Sequence, residues 1–443
     1  MHKIRLGILA LTALLCVQGC YKDSRFEPGI DGATDSARQQ PGRMATENPR
    51  RVMIMVSAGY NSLYSYLDAD LADLESGLLP SGTGFGDDVL LVLCRQLTKR
   101  DDYNTPRAPV LYRLWSSEGL VHRDTLRMWP DDTPLCRRET IHEALSLVCD
   151  KFPASSYGMV FSSHATGWMP ARYYSNPDTY EQEHGGTPSG GGVFFKPRFV
   201  SPVQHFPPLE AEPAVKSIGQ DQVGTASVEM ELQEFADAIP MRLDYLLIDA
   251  CLCGGVEVAY ALRDKADIVG FSPTEILADG FVYHNITSHL FASEPDPVGV
   301  CREYFEQYNV QTGSSRSATI SVVDTREMEP LAAVCRELFE KYRDVIETLP
   351  GTGVQGYFRF DRHFFYDLKD ILVQAGISAG EQARLEEAMD RCILYKAATP
   401  SFLSIGIRRY SGLSMYLPSM GTDLLDSFYR QQISWNDATE LVK

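Results

Sequence analysis

Two segments of the sequence end an apolar run in a side chain that can do nucleophilic or acid–base chemistry. The run YGMVFSS leads into His164, and the run DYLLI leads through Asp249 into Cys251. A thiolate can attack a carbonyl carbon, and an imidazole, which titrates near neutrality, can protonate the leaving amine. The resulting oxyanion needs donors, and the backbone N–H groups of Ala165 and Cys251 are the candidates. The two side chains are therefore a candidate pair for acyl transfer.

The elements that must hold this pair alternate between strands and helices. Short apolar runs predict buried strands at 51–58, 89–93, 110–114, 157–163, 245–248 and 268–271. Helical spacing of apolar residues predicts helices at 63–74, 140–152, 230–239 and 256–264. This alternation indicates an α/β fold with a mostly parallel sheet, in which functional residues follow the carboxyl ends of strands. The helix after Cys251 would also begin close enough for its dipole to favour a thiolate.

Two other residues compete for the catalytic roles. Cys253 lies two positions after Cys251 and points elsewhere in either a strand or a helix, so we interpret it as a packing residue. His184 is followed by a glycine, but it lies in an aperiodic stretch with no strand before it. It therefore ranks below His164.

Five segments, two of which contain His164 and Cys251, carry a family pattern. They are VMIMVSAGYNSL with Asn61, the HATGW turn, LLIDACLCGGVEVAYAL, GFVY at 280–283, and GLSMYLP near the end. In this order they resemble the clostripain-like cysteine peptidases, relatives of the caspases, gingipains and legumains. The resemblance implies a caspase-like αβα sandwich and an endopeptidase that forms a thioacyl-enzyme. In that enzyme Cys251 is the nucleophile and His164 is its acid–base partner.

The resemblance also implies a pocket for a basic side chain. In the family, a carboxylate two positions before the catalytic cysteine lines this pocket, and here that residue is Asp249. A second acid comes from the loop after the next strand, where Asp279 is the candidate and Glu275 the alternative. Two desolvated carboxylates would select protein or peptide substrates with Arg or Lys. The other interpretation of Asp249 is a cap on the following helix.

The loop that carries the second acid departs from the family pattern S-E-x-x-P-G-x-G-W. Pro273 follows Ser272, and Phe281 stands where tryptophan is common. Two alternatives therefore stay open. One is a surface lipoprotein that uses the peptidase fold as a binding module with weak or no catalysis. The other is a peptidase with a different preference, such as Asp or Asn.

A long Gly/Pro-rich stretch, residues 169–227, separates the two candidate catalytic residues. It is too long for an ordinary connection, so we interpret it as an insertion. Members of the family are often cleaved in this stretch during activation. The candidate self-cleavage sites are its basic residues, Arg172, Lys196, Arg198 and Lys216.

The first 20 residues are typical of a lipoprotein signal peptide. Basic residues precede an apolar run of about a dozen residues, too short for a permanent membrane span. The run ends in VQGC, which resembles a lipobox and makes Cys20 the candidate for lipidation; an ordinary cleaved signal peptide is the alternative. Residues 21–48, rich in Gly, Pro, Ser and charge, are interpreted as a flexible tether. We expect a lipid-anchored protein of the bacterial cell envelope, at the outer membrane.

The charge balance, the cysteine spacing and the glycine motifs limit the possible partners and cofactors. The 443 residues carry 41 Lys+Arg against 59 Asp+Glu, a net charge of −18, which argues against nucleic acid as a partner. Ten cysteines show no paired spacing typical of zinc sites or disulfide scaffolds. We expect no cofactor, since no nucleotide-binding glycine motif follows a strand. Some relatives depend on calcium, and the chain has no EF-hand-like spacing.

The chain is expected to divide into two folded regions. Residues 49–310 form the peptidase domain, and residues 311–443 form a C-terminal accessory region that packs on or extends the core. In the accessory region the pattern predicts a strand at 318–323, helices at 326–349 and 379–397, and a strand at 411–418.

Overall fold

The computed structural model describes residues 50–82, 88–96, 107–173, 180, 182–185, 218–223, 226–359 and 363–443. The predicted signal peptide, Cys20 and the tether lie outside these residues. Lys196, Arg198 and Lys216 of the predicted insertion also lie outside them.

Fifteen strands occur in the described residues. They are β1 (Val52–Gly59), β2 (Val89–Gln96), β3 (Val110–Ser117), β4 (Leu120–Met128), β5 (Tyr157–Ser162), β6 (Ile218–Val223), β7 (Ala226–Met230), β8 (Leu243–Asp249), β9 (Ala266–Phe271), β10 (Thr319–Asp324), β11 (Tyr366–Asp367), β12 (Ile393–Ala398), β13 (Ser401–Phe402), β14 (Ile405–Gly406) and β15 (Ser414–Met415). Nine of them form one sheet in the order β12-β10-β9-β8-β5-β1-β2-β3-β4.

The α-helices of the described ranges cover both faces of this sheet. They are α1 (Tyr64–Ser76), α2 (Arg138–Lys151), α3 (Leu232–Ala238), α4 (Val256–Ala261), α5 (Tyr283–Leu290), α6 (Pro297–Asn309), α7 (Met328–Ile346), α8 (Leu368–Gln374), α9 (Ala379–Cys392), α10 (Asp423–Gln432) and α11 (Ser434–Thr439). Within the same ranges no helix combines the length and apolarity needed to span a bilayer.

The centre of the sheet is parallel. Strands β2, β1, β5, β8 and β9 are parallel neighbours, and antiparallel strands flank them on both sides. Side chains of β1 alternate between two hydrophobic cores: Val52, Ile54 and Val56 pack on one face, and Met53 and Met55 on the other. Burial on both faces explains why this strand has an unbroken apolar sequence. The predicted α/β fold with a mostly parallel sheet is confirmed.

Several elements differ from the sequence predictions. The strand predicted at 110–114 is the first arm of a hairpin, and its second arm, β4, is largely exposed along its length. Because β4 is largely exposed, it needs no regular apolar pattern, and the sequence pattern did not predict it. The helix predicted at 379–397 ends at Cys392, and the chain continues as β12, which pairs with β10 at the edge of the large sheet. Residues from both expected regions therefore contribute strands to one sheet.

A buried ion pair holds part of the predicted insertion on the core. Strands β6 and β7 pair with each other, and β6 carries the Asp221 carboxylate to within 3.3 Å of the Arg95 guanidinium near the end of β2. Both side chains are almost completely buried. The Asp221 carboxylate also accepts a hydrogen bond from the backbone N–H of Cys136, and the Arg95 guanidinium lies 4.0 Å from the Tyr60 ring centroid. The stretch 169–227 thus includes an ordered, anchored hairpin.

The C-terminal region packs against the segment that follows the candidate nucleophile. The N–H of Ser414 donates to the carbonyl of Gly254 at 2.9 Å. Three residues after Gly254, the fully buried Glu257 carboxylate accepts from the Tyr416 N–H and the Tyr429 hydroxyl, each at 2.8 Å. Burial raises the pKa of Glu257 to about 7, because the interior penalises its charged form.

The raised pKa of Glu257 should make the stability of the folded protein depend on pH. A pKa raised in the folded state contributes stability in full below the ordinary carboxyl value, and that contribution is lost as the pH rises toward about 7. We expect Glu257→Gln to remove this loss. Between about pH 5 and pH 8, the free energy of unfolding of the variant should therefore rise relative to that of the parent by roughly 2 kcal/mol. Urea titrations at the two pH values measure the gain. Parallel pH dependences for parent and variant would contradict it.

Candidate active site

The carboxyl ends of three parallel strands meet in register at one edge of the sheet. Ser57 of β1 pairs with Ser162 of β5, and Ser162 pairs with Asp249 of β8. His164 follows its strand by two residues, and Cys251 follows its strand by two residues. Since neighbouring strands lie about 4.8 Å apart, the topology brings the two candidate catalytic residues to adjacent positions.

A turn held by the side chain of Asn61 follows β1. The side-chain amide of Asn61 donates to the carbonyl of Ala58 at 2.8 Å, and its oxygen accepts from the N–H of Leu63 at 2.9 Å. This turn presents Ser62, whose Oγ lies 2.9 Å from Nε2 of His164. The imidazole is buried, with 6% of the residue exposed, so its polar atoms need partners within the protein.

The candidate nucleophile lies in a turn between β8 and α4. Leu252, next to Cys251, has a φ of 60°, and its N–H bonds to the carbonyl of Thr274 at 2.9 Å. The Cys251 sulfur lies 3.4 Å from the N–H of Ile276, which donates to it. The thiol in turn donates to the carbonyl of Ile276 at 3.9 Å, so both backbone groups of Ile276 contact the sulfur. The predicted helix dipole contributes less than expected, because α4 begins only at Val256 and has six residues.

The two competing residues occupy unsuitable environments. Cys253 is fully buried, and burial raises the pKa of its thiol. It donates to the carbonyl of Cys251 and is a packing residue, as interpreted from the sequence. His184 is exposed, and its Nδ1–H donates to the carbonyl of Tyr180 within the same short segment. Cys253 follows the end of β8 by four residues rather than two, and its thiol is buried.

The candidate oxyanion donors lie in the same two turns. Ala165 is buried, and the left-handed residue of its turn is Gly167, with a φ of 58°. A Cβ at Gly167 would lie 2.3 Å from the carbonyl oxygen of Leu252, so the two turns are in contact there. Their backbones are therefore held close together, as a shared oxyanion site requires.

The Asp249 carboxylate points into a buried, tyrosine-rich site. The Tyr283 hydroxyl donates to its Oδ2 at 2.5 Å and the Ser162 hydroxyl at 3.4 Å. The alternative role of Asp249 as a helix cap is not supported, since the cap residue of α4 is Gly255 and no side chain caps that helix. The Asp249 carboxylate therefore contacts the neighbouring strand and the first residue of α5.

Asp279 belongs to the loop that packs directly on Asp249. The next residue, Gly280, has a φ of 58°, and a Cβ there would lie 2.2 Å from Asp249 Oδ2. The Tyr308 hydroxyl donates to the carbonyl of Gly280 at 3.0 Å. Burial raises the pKa of the Tyr308 phenol, and the charges of Asp279 and Asp249 raise it further, so both carboxylates act on one small region. Glu275, the alternative acid, forms an ion pair with Arg359 at 2.9 Å.

The described residues include no group of three or more His, Cys, Asp or Glu side chains that could hold a metal ion. None of the eight cysteines within the described ranges forms a disulfide. The functional groups of this edge are thus a thiol, an imidazole, backbone donors and two neighbouring carboxylates. Together they can perform acyl transfer and bind a cation.

Comparisons with known proteins agree with this geometry. The sequence profile of the clostripain family matches residues 208–393, which include Asp249, Cys251 and Asp279. An inactive zymogen C11 protease from Parabacteroides distasonis is 26% identical; the superposition covers 90% of this chain and 99% of that chain, with a TM-score of 0.67. The chain thus resembles the clostripain family in the sequence of residues 208–393 and C11 proteases in its fold. The resemblance found in the sequence is confirmed, and the protein is a cysteine peptidase.

The caspase-like αβα sandwich expected of a clostripain-family member is also confirmed. A secreted C11 cysteine protease from Bacteroides thetaiotaomicron, in complex with an irreversible peptide inhibitor, is 22% identical and superposes with a TM-score of 0.68. That superposition covers 88% of this chain and 99% of the other. No curated protein matches the sequence.

Two contributors to the peptidase site were missed in the sequence. Ser62 follows Asn61 in the segment VMIMVSAGYNSL, but its neighbouring residues do not indicate that its hydroxyl contacts a histidine beyond another strand. Tyr283 lies in the segment GFVY, and it contacts Asp249 only when the loop before α5 is folded. Gly280, next to Asp279, was an indication in the sequence that this loop packs closely on another segment, because a loop glycine often lets another group approach the backbone.

Proposed function

We propose that this clostripain-family peptidase hydrolyses peptide bonds after Arg or Lys by means of a Cys251–His164 dyad. The observation that carries the proposal is the in-register pairing of Ser162 with Asp249. His164 and Cys251 each follow one of these adjacent strand ends by two residues, which supports the dyad. The other candidate residues for either role lie elsewhere.

The geometry supports a conventional order of steps. The Cys251 thiolate attacks the scissile carbonyl, and the backbone N–H groups of Ala165 and Cys251 stabilise the oxyanion. Protonated His164 gives its proton to the leaving amine, which leaves a thioacyl-enzyme. The neutral imidazole then removes a proton from water, the hydroxide attacks the thioester, and the thiol takes the proton back as it leaves.

The preference for a basic residue rests on the two neighbouring carboxylates. Asp249 is almost completely buried, so its negative charge is poorly screened by water. Asp279 is partly buried and precedes the glycine that packs on Asp249. A guanidinium can bind carboxylates in bidentate geometry, whereas an ammonium binds as a point charge, so we expect Arg to be preferred over Lys.

Cleavage of a peptide library tests this preference. We expect the parent to cleave after Arg and Lys, and Asp249→Asn or Asp279→Asn to lower kcat/KM for basic substrates by about 10- to 100-fold, since each removes a charge-assisted contact. Asp237→Asn, an exposed change on α3, is the matched control. If Glu275→Gln changes the preference and Asp279→Asn does not, the alternative acid is correct. Cleavage after Asp or Asn would contradict the basic pocket altogether.

Activation by self-cleavage is part of the proposal. The candidate sites are Lys196, Arg198, Lys216 and Arg172, and a basic specificity would make each of them a substrate. Arg172 is exposed in the structure, with a φ of 67°. The similar protein from Parabacteroides distasonis is an inactive zymogen, which supports an activation step in this chain as well.

We further propose that Cys20 is lipidated and anchors the peptidase in the bacterial cell envelope, at the outer membrane. The supporting observation is the apolar run that ends in VQGC. Detergent phase partition of cell extracts tests it. The parent should enter the detergent phase and Cys20→Ala the aqueous phase, and equal partition of both would disprove lipidation.

A further inference from the structure

The turn after β1 supplies a hydroxyl to the catalytic histidine. Ser62 Oγ lies 2.9 Å from Nε2 of His164, although the two residues are 102 positions apart. Ser62 is half-buried, and the imidazole is buried. The contact is therefore shielded from water and connects two strand ends, rather than two neighbours in sequence.

The position of this hydroxyl is fixed by the backbone on both sides. The carbonyl of Ala58 accepts from the Asn61 side chain at 2.8 Å and from the Ser163 hydroxyl at 3.3 Å. One acceptor thus joins the turn that carries Ser62 to the residue directly before His164. On the far side of the turn, the N–H of Leu63 bonds to Asn61, and α1 begins one residue later. Little freedom remains between the hydroxyl and the imidazole.

We propose that Ser62 is a positioning residue for peptide hydrolysis: its hydroxyl holds Nε2 of His164, so that the ring exchanges protons with the thiol and the leaving amine through Nδ1. This inference rests on the dyad proposed above. Each ring nitrogen carries at most one proton, and a nitrogen committed to Ser62 is not available to the substrate in the same geometry. The Ser62 contact therefore assigns different tasks to the two nitrogens.

The proton balance of the cycle closes with this assignment. In the resting enzyme Nε2–H donates to Ser62 Oγ, and Nδ1 takes the proton of the Cys251 thiol. Nδ1 gives that proton to the leaving amine, then takes one from water, and returns it to the cysteine sulfur when the thioester breaks. Ser62 keeps its own proton throughout. Its oxygen stabilises the imidazolium each time the ring is charged.

Kinetics of three variants test the proposal. We expect Ser62→Ala to lower kcat by about 10- to 100-fold, the range that corresponds to a hydrogen bond to a charged group, with KM changed less than about twofold. Ser62→Thr keeps a hydroxyl and should recover most of the lost kcat. Ser76→Ala removes an exposed hydroxyl at the end of α1 and should behave as the parent.

The outcomes separate this inference from the dyad itself. If Cys251→Ala and His164→Ala are inactive while Ser62→Ala has the parental kcat, Ser62 has no positioning role. The same conclusion follows if Ser62→Thr is as slow as Ser62→Ala, because the loss then comes from altered packing. If His164→Ala remains active, the dyad is wrong. Thermal unfolding of each variant shows whether the fold is retained, and Ser62→Thr keeps the test valid should Ser62→Ala be unstable.

Discussion

Replacing Cys251 by alanine is expected to lower kcat/KM by on the order of 10⁴-fold or more, because the variant has no nucleophile and no covalent intermediate can form. His164→Ala should lose a comparable factor, since the leaving amine would then lack its proposed proton donor. Residues that act as one unit are not additive, so the double variant should be little worse than either single variant. Progress curves with an arginyl peptide substrate measure these losses.

Cys253→Ala is the matched control, because it removes a buried thiol two positions away. Labelling with an arginyl chloromethylketone should modify the parent and Cys253→Ala, but not Cys251→Ala. The same three proteins test self-cleavage, since only Cys251→Ala should stay uncut between residues 169 and 227. Lack of an adduct at Cys251 in a folded parent, before and after limited proteolysis, would favour the binding-module alternative. An uncut parent would exclude self-cleavage.

Asp221→Ala is expected to lower the free energy of unfolding by about 3–5 kcal/mol, the usual loss when one partner of a buried ion pair is removed. The change leaves the Arg95 guanidinium buried without its carboxylate, and it leaves the Cys136 N–H without an acceptor. Burial raises the pKa of Asp221 while Arg95 lowers it, which reflects the same competition between desolvation and pairing. Urea unfolding followed by tryptophan fluorescence measures the loss.

Removal of both charges should be better tolerated than removal of one. In Arg95→Met with Asp221→Leu, no buried charge is left unpaired, and apolar groups fill the space. We expect the double variant to be more stable than Asp221→Ala, with strongly non-additive effects. An exposed pair such as Arg384 and Glu337 provides the comparison, and its disruption should cost less than about 1 kcal/mol. Equal losses from the buried and exposed pairs would contradict this account.

The parallel core was predictable because its strands are buried on both faces. Burial on both sides requires continuous apolar runs, and those at β1, β5 and β8 identified the sheet and the edge where His164 and Cys251 lie. Strand β4 is largely exposed and gave no such signal. Prediction from patterns therefore succeeded where the hydrophobic core determines the sequence.

Contacts between distant segments could not be predicted in the same way. The hairpin β6–β7 depends on Arg95, which lies in an earlier strand, and a polar residue such as Asp221 in a Gly/Pro-rich stretch resembles an ordinary loop residue. Ser62 reaches His164 only because β1 and β5 are neighbours in register. Such contacts depend on which strands are neighbours in the sheet, and the residues around each position do not indicate those neighbours.

The order of the strands decides what a cut in the insertion would produce. Strand β5 precedes residues 186–217 and β8 follows them, yet the two are hydrogen-bonded neighbours at the centre of the sheet. A protein cut in that segment becomes a two-chain enzyme, with His164 on one polypeptide and Cys251 on the other. Its native form should withstand dilution, because each fragment supplies strands to a common core. Its refolding, by contrast, becomes a bimolecular reaction that slows as the protein concentration falls.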